Sequence, residues 1–219
     1  MTIAEHLAKE LYIFTGLGAD ERIFQQLDFT GFTANFIKWV RPHKNEKIHH
    51  YATRILEQIK TSNPVLIGLS FGGIIAVEIA KQIETEKIIL IASVKTKVEI
   101  PLYFRIAGRI GVHKLIPLEI YKSSNLIHDW FFGSRSNFDI QLLQQILKDT
   151  DPVFLKWAID KAITWRNQTV VNNILHIHGS KDKLLPVRFV NCNITVQDGG
   201  HLMTLNKSEE LNRILRQQL

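Results

Sequence analysis

Residues 65–77 read Val65-Leu66-Ile67-Gly68-Leu69-Ser70-Phe71-Gly72-Gly73-Ile74-Ile75-Ala76-Val77. The opening Val-Leu-Ile is a short apolar run of the kind buried in a parallel sheet, and the closing residues continue with helical character. Between them, Gly-x-Ser-x-Gly sets one serine on a tight turn from strand to helix. A side chain two positions before or after that serine would run into the neighbouring strand or helix, so both places need glycine. Such a turn lifts the hydroxyl clear of the sheet and aims the free amides of a helix N-terminus at whatever reacts there.

Outward from this stretch, β-rich apolar runs at 11–15, 36–40, 64–70, 87–93, 174–180 and 193–196 alternate with helical patterns at 20–27, 47–59, 71–83 and 208–218. The alternation predicts the α/β class, with a mostly parallel, doubly wound sheet of about six strands. Ser208, ahead of Glu209 and Glu210, reads as a helix cap. The rhythm breaks between Ser93 and Ile174, where apolar stripes such as Leu102, Ile106 and Ile110 alternate with Pro101, Pro117 and Pro152. This predicts a helical lid insertion over 97–165 within a single domain spanning 1–219.

With a strand before it and a helix after, the motif around Ser70 resembles the nucleophile turn of the α/β-hydrolase superfamily. The resemblance runs from about Leu11 to the end of the chain, the middle insertion excepted, and implies the order serine, acid, histidine. Asp182 closes His178-Gly179-Ser180-Lys181-Asp182, the His-Gly-x-x-Asp pattern common in that family, and is the implied acid. His201, in Gln197-Asp198-Gly199-Gly200-His201, is the implied base, with flanking glycines that let its loop approach the serine. An acid there would fix the imidazole tautomer and stabilise the imidazolium formed during attack. Asp182 and His201 are nineteen positions apart, closer than is usual in the family, so the helix between their strands must be short or absent. Asp198 is the nearest alternative carboxylate. The oxyanion hole would use the amide of Phe71 and, by resemblance, that of Leu17 in Phe14-Thr15-Gly16-Leu17-Gly18, where Thr15 replaces the family's usual histidine.

Rival sites are weaker. Gly16-x-Gly18 after a strand suggests a dinucleotide turn, but Glu21 falls where the third glycine belongs and no ribose-binding acid ends the next strand, so no cofactor is expected. His176 and His178 share a strand face without a third ligand at recognisable spacing, so no metal is expected. His43, His49 and His50 read as a solvated face.

The implied function is a serine hydrolase cleaving a carboxylic ester or thioester of a small acyl substrate. A non-hydrolytic lyase of the same fold (hydroxynitrile lyase-like or eliminating) and a catalytically silent binding protein are the alternatives. The 219 residues are 45% hydrophobic and 22% charged, an ordinary globular balance. The net charge of +6 is scattered, without a dense basic run or interleaved aromatics, which argues against nucleic acid. No apolar stretch is long enough for an integral membrane segment. One cysteine, Cys192, and the lack of a basic and apolar leader point to a cytoplasmic protein. No pattern fixes the oligomeric state. From Lys95 to Phe138, seven bases face three acids, an excess that would draw anionic acyl substrates. Tyr103, Phe104, Trp130, Phe131, Phe132, Trp157 and Trp165 make the insertion rich in apolar bulk, most of it expected as lid core.

Overall fold

The computed structural model describes residues 8–117 and 137–219, with side chains in the second stretch from residue 141 onward. Its sheet contains β1 (Lys9–Phe14), β2 (Phe32–Phe36), β3 (Val65–Leu69), β4 (Lys87–Ile91), β5 (Ile174–Gly179) and β6 (Ile194–Val196), in the order β2-β1-β3-β4-β5-β6. Every pairing is parallel. The chain runs outward from β1 to β2 and then returns across β1 to β3. Where neighbouring connections diverge in this way, the loops at the carboxyl ends of the strands part and leave a crevice. The loops after β1 and β3 both emerge there.

Alternate residues of each strand serve opposite faces. On one face Leu11, Ile13, Ile67, Ile89 and Ile177 pack with Met203 and Leu205 of α6 (Met203–Asn206) and with Leu211 and Leu215 of the C-terminal helix α7 (Ser208–Gln218). On the other, Tyr12, Phe14, Leu66 and Leu90 meet α1 (Ile48–Leu56), α2 (Phe71–Ala80) and α5 (Pro152–Thr164). Each fully buried aliphatic side chain contributes about 1.5–3 kcal/mol. Phe71 through Ile79 of α2 are all buried, as an all-round apolar helix requires. The one acid among them, Glu78, is satisfied by Lys81 and by the indole of Trp165, each at 2.8 Å.

The second strand lies at Phe32–Phe36, not at 36–40. Its pairing with β1 ends as the Ile37 amide donates to the Ile13 carbonyl. The apolar residues beyond are used for packing: the Trp39 ring stacks on Phe154 with centroids 5.2 Å apart, and both backbone polar groups of Val40 bond the Tyr51 hydroxyl. The pattern at 20–27 yields only a single 3-10 turn, Glu21–Phe24, capped by Asp20. Ser208 is the first residue of α7 and not its cap; its hydroxyl donates to Gln26 Oε1.

Between β4 and β5 the described residues form α3 (Leu102–Ile110), α4 (Asn137–Asp149) and α5, with 3-10 turns at Lys97–Glu99 and Val112–Leu115. Trp130, Phe131 and Phe132 lie outside the described residues. Trp157 and Trp165 are tied down through their indole nitrogens to the Glu46 carbonyl and to Glu78. Among the described residues, no helix is long and apolar enough to cross a membrane.

Candidate active site

Ser70 links β3 to α2 with φ 52° and ψ −119°, a backbone conformation a non-glycine residue rarely adopts. The glycines around it are sterically forced. A Cβ on Gly68 would lie 2.4 Å from Gly73 Cα, and one on Gly72 would lie 2.3 Å from the carbonyl oxygens of Phe14 and Thr15. Ser93, two residues beyond β4, donates its hydroxyl to the Ser70 carbonyl at 2.6 Å, and a Cβ on Gly73 would meet that hydroxyl oxygen at 2.3 Å. Nothing in the sequence pattern singles out Ser93, because its role depends on the neighbouring strand.

The structure brings Asp182 and His201 to this turn. His201 Nε2 lies 2.8 Å from Ser70 Oγ, and His201 Nδ1 lies 2.8 Å from Asp182 Oδ2. The other carboxylate oxygen of Asp182 accepts the amides of Leu184 and Leu185, both at 2.9 Å. Burial pushes the Asp182 carboxyl up, but the adjacent His201 and these hydrogen bonds outweigh it and hold the carboxyl below its usual range. Asp198 is excluded from this role, because it pairs with Lys181 at 2.6 Å on the surface. The short spacing has the anticipated cause: only a 3-10 turn, Val187–Phe189, separates β5 from β6. Gly179 and Gly199 then touch, so closely that a Cβ on Gly179 would fall 2.2 Å from the Gly199 carbonyl oxygen.

His176 and His178 are fully buried beside the acid. His178 Nε2 lies 2.7 Å from the Leu185 carbonyl, which can only accept, so this nitrogen carries the hydrogen; it is also 3.4 Å from Asp182 Oδ2. His178 thereby braces the turn whose amides hold Asp182. Burial lowers its basicity against the opposing pull of Asp182. Neither ring nitrogen of His176 meets a partner at good hydrogen-bond geometry, and burial, aided by His178 and Lys95 against an opposing contact with the Ser93 backbone, drives its pKa down to about 3. Both rings are neutral near pH 7. Among the described residues no cluster of three or more His, Cys, Asp or Glu could hold a metal ion.

The loop after β1 faces Ser70: a Cβ on Gly16 would lie 3.6 Å from Ser70 Cβ. Thr15 accepts from Trp39 Nε1 at 2.8 Å and donates to the Ala19 carbonyl at 2.7 Å, so it ties the loop across its own turn. Gly18, at φ 64°, allows the turn closed by the Ala19 amide on the Gly16 carbonyl. Neither the Leu17 nor the Phe71 amide donates to a described residue. Above Ser70 lies a cavity of about 310 Å³, roofed by Phe104, Leu147, Leu155 and Ile159. Its described lining contains only three polar residues, Ser70, Ser93 and His201, and no charged one.

No protein-family model and no curated protein matches the sequence. Solved structures do match. A hydrolase from Oleispira antarctica is 16% identical with a TM-score of 0.69, covering 95% of this chain and 90% of that one. A bromoperoxidase from Bacillus anthracis is 16% identical with a TM-score of 0.70 over the same shares. An esterase from Exiguobacterium antarcticum is 18% identical with a TM-score of 0.65, covering 96% and 91%. This chain has the α/β-hydrolase fold. Within that fold Ser70 stands on the turn after β3, while Asp182 and His201 stand on the loops after β5 and β6.

Proposed function

We propose that this chain is a serine hydrolase that cleaves a carboxylic ester or thioester of a small, neutral acyl substrate. The hydrogen-bonded series Asp182, His201, Ser70 at the floor of an apolar cavity carries the reading. Asp182 accepts the Nδ1 hydrogen of His201 and leaves the Nε2 lone pair toward the Ser70 hydroxyl. As Ser70 Oγ attacks the acyl carbon, its proton passes to Nε2, and the imidazolium is stabilised by Asp182. The negative charge that develops on the acyl oxygen is met by the amides of Phe71 and Leu17, helped by the N-terminus of α2. Nε2 then protonates the leaving alcohol or thiol, and a water activated by the same nitrogen releases the acid.

The cavity sets the substrate class. Its volume lies at the small end of ligand pockets, which run from about 300 to 1,000 Å³. With no charged side chain in the described lining, an acyl anion would be desolvated without a partner, so the reading departs from the anionic substrates that the local charge excess suggested. The segment 97–165 is the lid in this proposal, and Phe104 of α3 joins residues of α4 and α5 in lining the cavity.

The test is a panel of p-nitrophenyl esters and CoA thioesters of graded acyl length, with a hydroxynitrile-cleavage assay alongside. Wild-type protein should turn over the shorter neutral esters and be labelled stoichiometrically by a fluorophosphonate at Ser70. Ser70→Ala should lower kcat at least about a thousandfold. Labelling that persists in Ser70→Ala, or hydroxynitrile cleavage without ester turnover, would overturn the proposal.

A further inference from the structure

Helix α3 is amphipathic, but its apolar side faces outward. Leu102, Ile106 and Ile110, four residues apart and therefore on one stripe, are 55%, 50% and 71% exposed. The opposite side is the one that packs: Phe104 reaches the cavity, and Gly108 sits so close to α5 that a Cβ there would lie 2.7 Å from the Ile163 carbonyl oxygen. Val98 just before the helix, and Val112 and Leu115 just after it, extend the exposed apolar surface. Single exposed aliphatics are commonplace; a contiguous row along one helix is not.

Among the described residues, the charges that border this row without an ion-pair partner are of one sign. Arg105 and Arg109 run along its flank, and Lys97 precedes it. On the far side Arg188 lies over the Phe189 ring, whose edge meets Tyr103 of α3. None of these four cations forms an ion pair with a described acid. The nearby acids are otherwise engaged: Glu99 is buried and accepts the Lys95 and Asn191 amides, and Asp160 is held by His113 and Lys161. An exposed aliphatic stripe bordered by unpaired Lys and Arg has the composition of a helix that lies in the plane of a lipid surface.

We infer that α3 docks this protein on an anionic lipid surface. Leu102, Ile106 and Ile110 enter the headgroup boundary, while Lys97, Arg105, Arg109 and Arg188 contact anionic headgroups. The docked face is the outer side of the same helix that roofs the cavity through Phe104, which places the site beside the membrane plane. The docking is independent of the hydrolase reading, since vesicle binding is measured without turnover.

The experiment is flotation of the full chain with phosphatidylcholine vesicles and with vesicles containing a quarter phosphatidylglycerol, at about 0.1 M and 0.5 M salt. The protein should float with the anionic vesicles, bind the neutral ones at least tenfold more weakly, and release as salt screens the headgroups. Arg109→Gln should weaken binding about fivefold. The double variant Ile106→Asn, Ile110→Asn should abolish it with an unchanged circular dichroism spectrum. Failure to float with either vesicle overturns the inference, as does binding that is equal on both vesicles or untouched by the double variant. A dimer in light scattering that the double variant dissolves, without vesicle binding, would assign the face to a second copy and overturn it equally.

Discussion

His176 offers a quantitative test of the buried core beside the candidate acid. The ring is fully buried with neither nitrogen at good hydrogen-bond geometry, and its pKa falls from 6.5 to about 3, with burial the main cause. A group whose folded pKa is depressed binds fewer protons folded than unfolded, so stability is complete above the unfolded value and drains away as pH falls toward the folded one. At pH 4.5 the unfolded ring is almost wholly protonated while the folded ring is not. Two units below 6.5, at about 1.36 kcal/mol each, amount to a loss of roughly 2–3 kcal/mol from this residue alone. His176→Leu removes the titration and also two buried, unsatisfied nitrogens, so it should be neutral or stabilising at pH 7.5. Urea unfolding followed by circular dichroism at pH 7.5 and 4.5, on wild type and variant, isolates the effect, because titrations common to both cancel. The variant should lose about 2–3 kcal/mol less than wild type between the two pH values. Equal losses would refute the claim that His176 is buried and neutral.

Three further outcomes follow from the site. Asp182→Asn keeps the shape but offers the wrong partner to His201 Nδ1, and should reduce kcat on any turned-over ester by about 10⁴-fold with little change in KM. Gly72→Ala puts a methyl group against the backbone carbonyls of Phe14 and Thr15, which cannot move aside; soluble expression should collapse, and a well-folded Gly72→Ala protein would contradict the packing described. Thr15→Val strips the Trp39 indole of its acceptor and the Ala19 carbonyl of its donor, which should cost about 1–3 kcal/mol in urea unfolding and lower kcat more than it raises KM, as expected if the loop presents the Leu17 amide.

What could be read from the sequence was whatever is imposed locally. The passage from β3 through Ser70 into α2 is dictated by contacts within a few residues, and the helix at 208–218 follows from its own periodicity. The second strand was placed too late because apolarity alone does not say whether Trp39 and Val40 pair in a sheet or pack under α1 and α5; that depends on residues more than a hundred positions away in Phe154. The stripe on α3 formed the helix its period demanded, yet which side turned inward was set by the close approach of Gly108 to α5. Asp182 was legible through the resemblance carried by His178-Gly179-Ser180-Lys181-Asp182 and His201 through its place after Gly199-Gly200, whereas Ser93, His178 and the Thr15 bridge act through neighbours no linear pattern reveals.

Among the described residues, the positive φ angles on non-glycine residues next to strands divide by sheet edge, Asn45 before α1 standing apart. At the amino ends of the strands they fall on Asn63 before β3 and Asn173 before β5, a residue type that accepts left-handed backbone at small cost. At the carboxyl ends they fall on Ser70, Ala92 and Asp198, after β3, β4 and β6. Selection for stability alone would favour glycine at Ser70, sparing on the order of 1–3 kcal/mol of backbone strain. In the proposed hydrolase the hydroxyl there trades that durability for reactivity, and a stabilisation campaign that moves residue 70 to its most comfortable amino acid would harden the scaffold while discarding the proposed nucleophile.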